Sequence, residues 1–256
     1  MSFLTDKGKM EKERYYVIDF IRAFVILNMI IYHALWDIVY LFDRDIEWYV
    51  SDMGEIWQRF ICITFIVLSG FCWSMSRNHV KRGIYTLVMG AVISVITMIF
   101  VPEGTIKYGI LTMIGSAVLI MIPLEKVLKY VNDWGGFILS ILLYVFTKDI
   151  NRGYLLFYSV KVPEYLYRGE FMTYLGFEEE GFYSADYFSL IPWIFVFISG
   201  YFLYRIMKRK NLIMTLKGVP NRIIEGISRG SLVIYMLHQP VVYGLILGVY
   251  ELSEIF

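Results

Sequence analysis

Long apolar runs alternate with short charged ones from near the start of the chain to its end. Seven of them read as membrane spans, over residues 15–42, 56–75, 83–101, 108–124, 134–146, 188–206 and 231–250. A helix needs about 20 apolar residues to cross a bilayer, and each run meets that length except the fifth, which is short. The pattern predicts an all-α integral membrane protein, a polytopic bundle of about seven transmembrane helices. One domain fills 15–256 behind a basic tail at 1–14, and the apolar run after that tail is too long for the core of a signal peptide. The longest connection, 151–187, carries Tyr154, Tyr158, Tyr165, Tyr167, Tyr174 and Tyr183. It reads equally as a lid or sugar-stacking surface and as an interfacial aromatic belt.

The charged positions orient the bundle. Lys7, Lys9, Lys12 and Arg14 precede the first span, Arg77, Lys81 and Arg82 follow the second, and Lys126 and Lys129 follow the fourth. Arg205, Lys208, Arg209, Lys210, Lys217, Arg222 and Arg229 cluster between the sixth and seventh. The alternate connections are acidic or mixed, with Asp43, Asp45, Glu47, Asp52 and Glu55 in one and Glu178, Glu179, Glu180 and Asp186 in another. Lys and Arg collect on the cytoplasmic side, so the N-terminus is expected inside and the C-terminus outside. Composition agrees with a multi-pass protein of the cell membrane, at 58% hydrophobic residues. The net charge of +1 points to no partner, and nucleic acid is not among those expected. Cys62 and Cys72 lie ten residues apart in one helix, about 15 Å along its axis, too far to bridge. No zinc pattern is present, and no metal is expected.

Four ionisable groups interrupt the first span: Asp19, Arg22, His33 and Asp37. A charge at mid-bilayer costs about 2.5–3.5 kcal/mol on insertion scales, which makes each a functional candidate. At about 100° per residue Arg22 and His33 differ by only about 20°, and all four fall within an arc of about 120°. One polar stripe therefore runs down one apolar helix. His33 and Asp37, at i and i+4, are neighbours on that stripe, and a carboxylate beside an imidazole suits a general base. The forked guanidinium of Arg22 suits phosphate or carboxylate, with Asp19 to orient it. Both pairs also read as plain structural ion pairs, since buried charges are paired whether or not they work.

Other polar positions add less. Gln58 and Arg59 open the second span at its outer end, where they can orient an acceptor, pair with Asp37 or anchor the interface. Pro192, in the sixth span, and Pro240, in the seventh, are expected to break local helix bonding. That places His238 and Gln239 beside a cavity, where His238 serves as a second contact to a donor, a proton relay or a structural inter-helix bond. His79 lies in a basic loop and is given no role.

Several blocks are distinctive together: RYYVIDFIRAFVILNMIIYHALWD, IWQRFICITFIVLSGFCWSMSR, KRGIYTLVMG, FVPEGTIKYGILTMIG, DYFSLIPWIFVFISGYF and SRGSLVIYMLHQP. Through them the whole chain resembles the bacterial membrane-protein family related to the catalytic domain of heparan-alpha-glucosaminide N-acetyltransferase. The spacing from Arg22 to His33 also resembles the R-x10-H motif of transmembrane acyltransferases that O-acetylate glycans. The resemblance implies transfer of an acetyl group from cytoplasmic acetyl-CoA to a sugar amine or hydroxyl at the outer face, with Arg22 and His33 as the core pair. In this reading His33 is the general base with Asp37 behind it, Asp19, Arg22 and His238 engage the donor, and Gln58 and Arg59 meet the acceptor. The implied partners are membrane lipid, the acyl-CoA donor and an extracytoplasmic glycan, and a homo-oligomer is left open. Two positions depart from the family: Thr112 stands where a histidine is common, and Ala23 where a glycine often follows the arginine. The rival reading is a carrier or proton-coupled flippase that uses the same stripe as a translocation path; helix breaks confined to the later spans count against it.

Overall fold

The computed structural model describes residues 14–255, so Lys7, Lys9 and Lys12 of the basic tail lie outside the described residues. The helices are α1 (Tyr16–Tyr40), α2 (Asp52–Trp73), α3 (His79–Phe100), α4 (Ile110–Leu128), α5 (Asp133–Thr147), α6 (Glu170–Leu175), α7 (Leu190–Arg209), α8 (Arg222–Arg229) and α9 (Ser231–Ile255). Side-chain caps start three of them where the sequence offers a short polar residue. Ser51 Oγ accepts from the Met53 amide, Asn132 Oδ1 from Gly135, and Asn221 Oδ1 from Ile223 and Ile224. Such caps satisfy amides that the first helical turn leaves unpaired.

Six helices, α1, α2, α3, α4, α7 and α9, are long and apolar enough to cross a membrane. The seventh expected span, α5, has 15 residues and falls short. Its two ends nevertheless lie at opposite ends of α7. Asp133, in its first turn, pairs with Arg205 and Arg209 at the close of α7, while Asn151, just beyond it, accepts from Ser189 Oγ at the opening of α7. The chain is thus a multi-pass helical membrane protein. Its basic helix ends gather at one end of the bundle, hereafter the basic end.

Helix α7 sits at the centre, packed on α2, α5 and α4, with Phe197 and Phe202 almost wholly buried. Without a hydrophobic drive between helices in lipid, close backbone approach is what holds them, and small residues permit it. A Cβ added at Gly70 of α2 would lie 1.9 Å from the Phe197 carbonyl oxygen, and one at Gly200 of α7 would lie 2.1 Å from that of Val67. Gly83 and Gly90 bring α3 onto α4 in the same way. Helix α1 lies at the edge of this core against α2, α8 and α9.

The connection 151–187 is folded, with an antiparallel ladder of β1 (Tyr154–Leu155) on β2 (Val160–Lys161), pairing Tyr154 with Lys161, followed by α6. Pro192 lies at the opening of α7, directly after Ile191, whose backbone is non-helical (φ −96°, ψ 128°), so the expected break in helix bonding falls at the very start of the span, where a helix needs no amide from proline. Pro240 does lie inside α9.

Candidate active site

At the basic end the side chain of Arg22 leaves α1 toward α8 and α2. Its Nη1 donates to Ser228 Oγ at 2.8 Å and its Nη2 to Cys72 Sγ at 3.2 Å. Asp19, one turn earlier, is 3.9 Å from that guanidinium and is held elsewhere. Its Oδ1 accepts from Ser228 Oγ at 2.6 Å and its Oδ2 from Arg14 Nε at 2.6 Å. Arg14 in turn reaches Glu225 of α8 at 2.6 Å. Ser228 therefore bridges the two residues that the stripe places together.

Beside Arg22 opens a cavity of about 390 Å³. Arg22, Arg82, Arg229, Ser69, Ser228 and Ser231 line it near the basic ends of their helices. Phe65, Leu111, Ile114 and Tyr235 continue the wall, with Leu111 in the first turn of α4. The cavity thus runs lengthwise, from guanidinium and hydroxyl groups toward apolar and aromatic ones. Arg82 donates to the Cys72 carbonyl at 3.5 Å, and among the described residues no carboxylate pairs with it. Arg229 pairs with Glu225. Four guanidinium groups (Arg14, Arg22, Arg82, Arg229) thus meet two carboxylates (Asp19, Glu225), an excess of two positive charges. Forked donors in positive excess, beside hydroxyls, suit phosphate groups.

Beyond the cavity, α9 brings a second set of polar groups to α1. The rings of His33 and His238 stand 4.9 Å apart between centroids. Asp37 is fully buried, and its Oδ1 accepts from Gln239 Nε2 at 2.6 Å. No hydrogen bond joins His33 to Asp37 among the described residues, although the two share a helix face. Asp37 Oδ2, Gln239 Oε1 and His238 Nε2 are buried with no hydrogen-bond partner among the described residues.

Tyr235 ties this set to the cavity wall. Its carbonyl accepts from His238 Nδ1 at 2.6 Å and its hydroxyl donates to Asp186 Oδ2 at 3.4 Å. The same oxygen accepts from the Ile110 amide at 3.4 Å. Asp186 lies in the connection before α7, where burial pushes its carboxyl up to about 6.

Of the residues singled out in the sequence, Asp19 and Arg22 meet at the cavity, while His33, His238 and Asp37 gather along the α1–α9 seam. Gln58 and Arg59 stand exposed on α2, and Arg59 pairs with Glu55 at 3.2 Å rather than with Asp37. Thr112 packs against α3, its Oγ1 2.7 Å from where a Cβ on Gly90 would sit, and does not line the cavity. Arg82, Ser228, Arg229, Tyr235 and Asp186 escape a reading by helical phase, because each belongs to a different element from Arg22. A small polar run just ahead of the seventh span, SRGS, was the available signal for two of them.

A family model described as heparan-alpha-glucosaminide N-acetyltransferase, catalytic, matches residues 14–240. No curated protein and no solved structure matches the chain.

Proposed function

Since the chain belongs to the heparan-alpha-glucosaminide N-acetyltransferase catalytic family, we propose that it moves an acetyl group from cytoplasmic acetyl-CoA to a sugar amine or hydroxyl on the far side of the membrane. One observation carries the reading beyond family membership: the arginine-lined cavity is also lined by Tyr235, whose carbonyl accepts from His238, the ring beside His33. Its positive end suits the phosphates of a coenzyme A, and its apolar length suits the neutral pantetheine arm. Arg22, Arg82 and Arg229 hold phosphate oxygens, while Asp19, acting through Ser228, keeps the Arg22 fork aimed at the cavity.

Direct transfer is the simplest chemistry for this set. His33 takes the proton from the acceptor's nitrogen or oxygen as that atom bonds to the acetyl carbonyl carbon. The carbon–sulfur bond then breaks, and the proton passes to the sulfur of the departing coenzyme. Asp37 and Gln239 form the buried polar wall beside the acceptor. The donor arrives from the cytoplasm and the acceptor from outside, so neither need cross the bilayer.

The test is acetyl-CoA binding and turnover by purified protein, wild type beside Arg22→Ala. Saturable binding that depends on Arg22 supports the reading. Folded wild-type protein that neither binds nor consumes acetyl-CoA would reduce the family likeness to one of fold.

A further inference from the structure

A general base of the imidazole type works best when a second group holds its other nitrogen. Helical spacing offers Asp37 for that task, but Gln239 takes its Oδ1, and among the described residues no hydrogen bond joins its other oxygen to His33. The ring beside His33 is that of His238, with centroids 4.9 Å apart and planes tilted by 58°. A carbonyl oxygen can only accept, so the 2.6 Å contact to the Tyr235 carbonyl makes Nδ1 the protonated nitrogen of His238. Its Nε2 then carries a lone pair, and that atom is buried with no hydrogen-bond partner among the described residues. Buried acceptors seldom go without a donor in folded proteins. His33 makes no side-chain hydrogen bond of its own among the described residues, so a bare acceptor and an uncommitted donor stand side by side. The mount is firm as well. Tyr235, which fixes His238, is held by Asp186 at its hydroxyl and stacks on Phe65 at 6.4 Å.

We infer that His238 is the positioning residue for His33: its Nε2 accepts the N–H of His33, sets that ring's tautomer and shares the positive charge formed when His33 takes a proton. The inference rests on the acetyltransferase reading above and deepens it. Within the transfer, the acceptor's proton moves to the free nitrogen of His33 as the new bond to the acetyl carbon forms. The electron pair of the carbon–sulfur bond leaves with sulfur, which then takes that proton from His33. His238 ends the cycle with the proton it began with. Its place in the arrangement is that of the third member of a catalytic triad, filled by an imidazole anchored on a carbonyl.

The experiment compares wild type, His33→Ala, His238→Gln and His238→Ala, with acetyl-CoA as donor and glucosamine as the probe acceptor. We expect His238→Gln to lose about 100-fold in kcat while KM for acetyl-CoA stays within about twofold, the size of a lost acid–base partner. Added imidazole should restore part of the rate of His238→Ala, which a misfolded variant or a merely structural histidine would not show. In 15N-histidine-labelled wild type, the His238 signals should report the Nδ1–H tautomer, and the Nε2 signal should move in His33→Ala. Wild-type kcat in His238→Gln, with transfer present in wild type, overturns this inference and spares the acetyltransferase reading. Transfer that survives in His33→Ala but not in the His238 variants overturns it too, by making His238 itself the base. Wild-type protein without acetyl-CoA turnover overturns the parent reading, and the inference with it.

Discussion

Replacing Arg22 with alanine separates a binding arginine from a structural one. The guanidinium is about three-quarters buried, and nearly all its hydrogen bonding goes to Ser228 and Cys72 rather than to a carboxylate. A hydrogen bond to a charged group contributes about 1.5–3 kcal/mol. Losing one phosphate contact of that size weakens acetyl-CoA binding by about 10- to 150-fold, at 1.4 kcal/mol per decade. Arg229 is the internal control, because its side chain is 69% exposed and already paired with Glu225. An exposed charge contact of that kind is worth at most about 1 kcal/mol, or roughly fivefold. The fold should tolerate Arg22→Ala, since Asp19 keeps both Arg14 and Ser228 as partners. Arg22→Lys keeps the charge but loses the fork, and should fall between wild type and alanine. Calorimetric titration of acetyl-CoA into protein in nanodiscs, with a melting curve for each variant, reads these effects. Affinity within twofold of wild type in Arg22→Ala, or a larger loss in Arg229→Ala, would refute the placement of the donor phosphates.

Three further outcomes follow from the packing. Asp133 is buried and holds Arg205 and Arg209 at 2.7 Å each, so Asp133→Ala should cost about 3–5 kcal/mol, seen as a lower melting temperature with acetyl-CoA affinity unchanged. Asp186 has its carboxyl raised from an ordinary 3.8 to about 6, so the folded protein binds a proton there that the unfolded chain has already released. Stability should therefore fall as pH climbs from about 4 to about 6 and level off above, and Asp186→Asn should flatten that slope in melts taken across the range. Thr112→His would place the residue that the family resemblance suggests at this position, yet its side chain would press on α3 at Gly90. It should lower stability and leave turnover no higher, and a gain in kcat would contradict the cavity boundary drawn here.

Six spans are legible because hydropathy and length suffice for them: α1, α2, α3, α4, α7 and α9 follow the expected runs with shifts of a few residues, and α5 follows the fifth run but falls short by length. The short α8 escapes that signal, since eight residues with Arg at both ends do not form an apolar run. The strand pair in 151–187 escapes it because two-residue strands have too little alternation to read. Phase on α1 identified which side chains share a face, but it holds no information about the opposite helix. Phase therefore pairs Asp37 with His33 but cannot show that Gln239 takes one oxygen of that carboxylate, nor that Ser228 bridges Asp19 and Arg22. The basic helix ends read from Lys and Arg do collect at one end of the bundle: Arg22 meets Cys72 and Ser228, and Arg205 meets the end of α4 through the Leu128 carbonyl.

The most direct measurement follows labelled acetyl groups in sealed proteoliposomes, with acetyl-CoA supplied only at the basic face and glucosamine only at the opposite one. The account predicts acetylated sugar on the far side, coenzyme A released on the donor side in equal amount, and neither in His33→Ala. Sugar crossing the membrane unmodified, with acetyl-CoA left intact, would contradict it and make the polar stripe a translocation path.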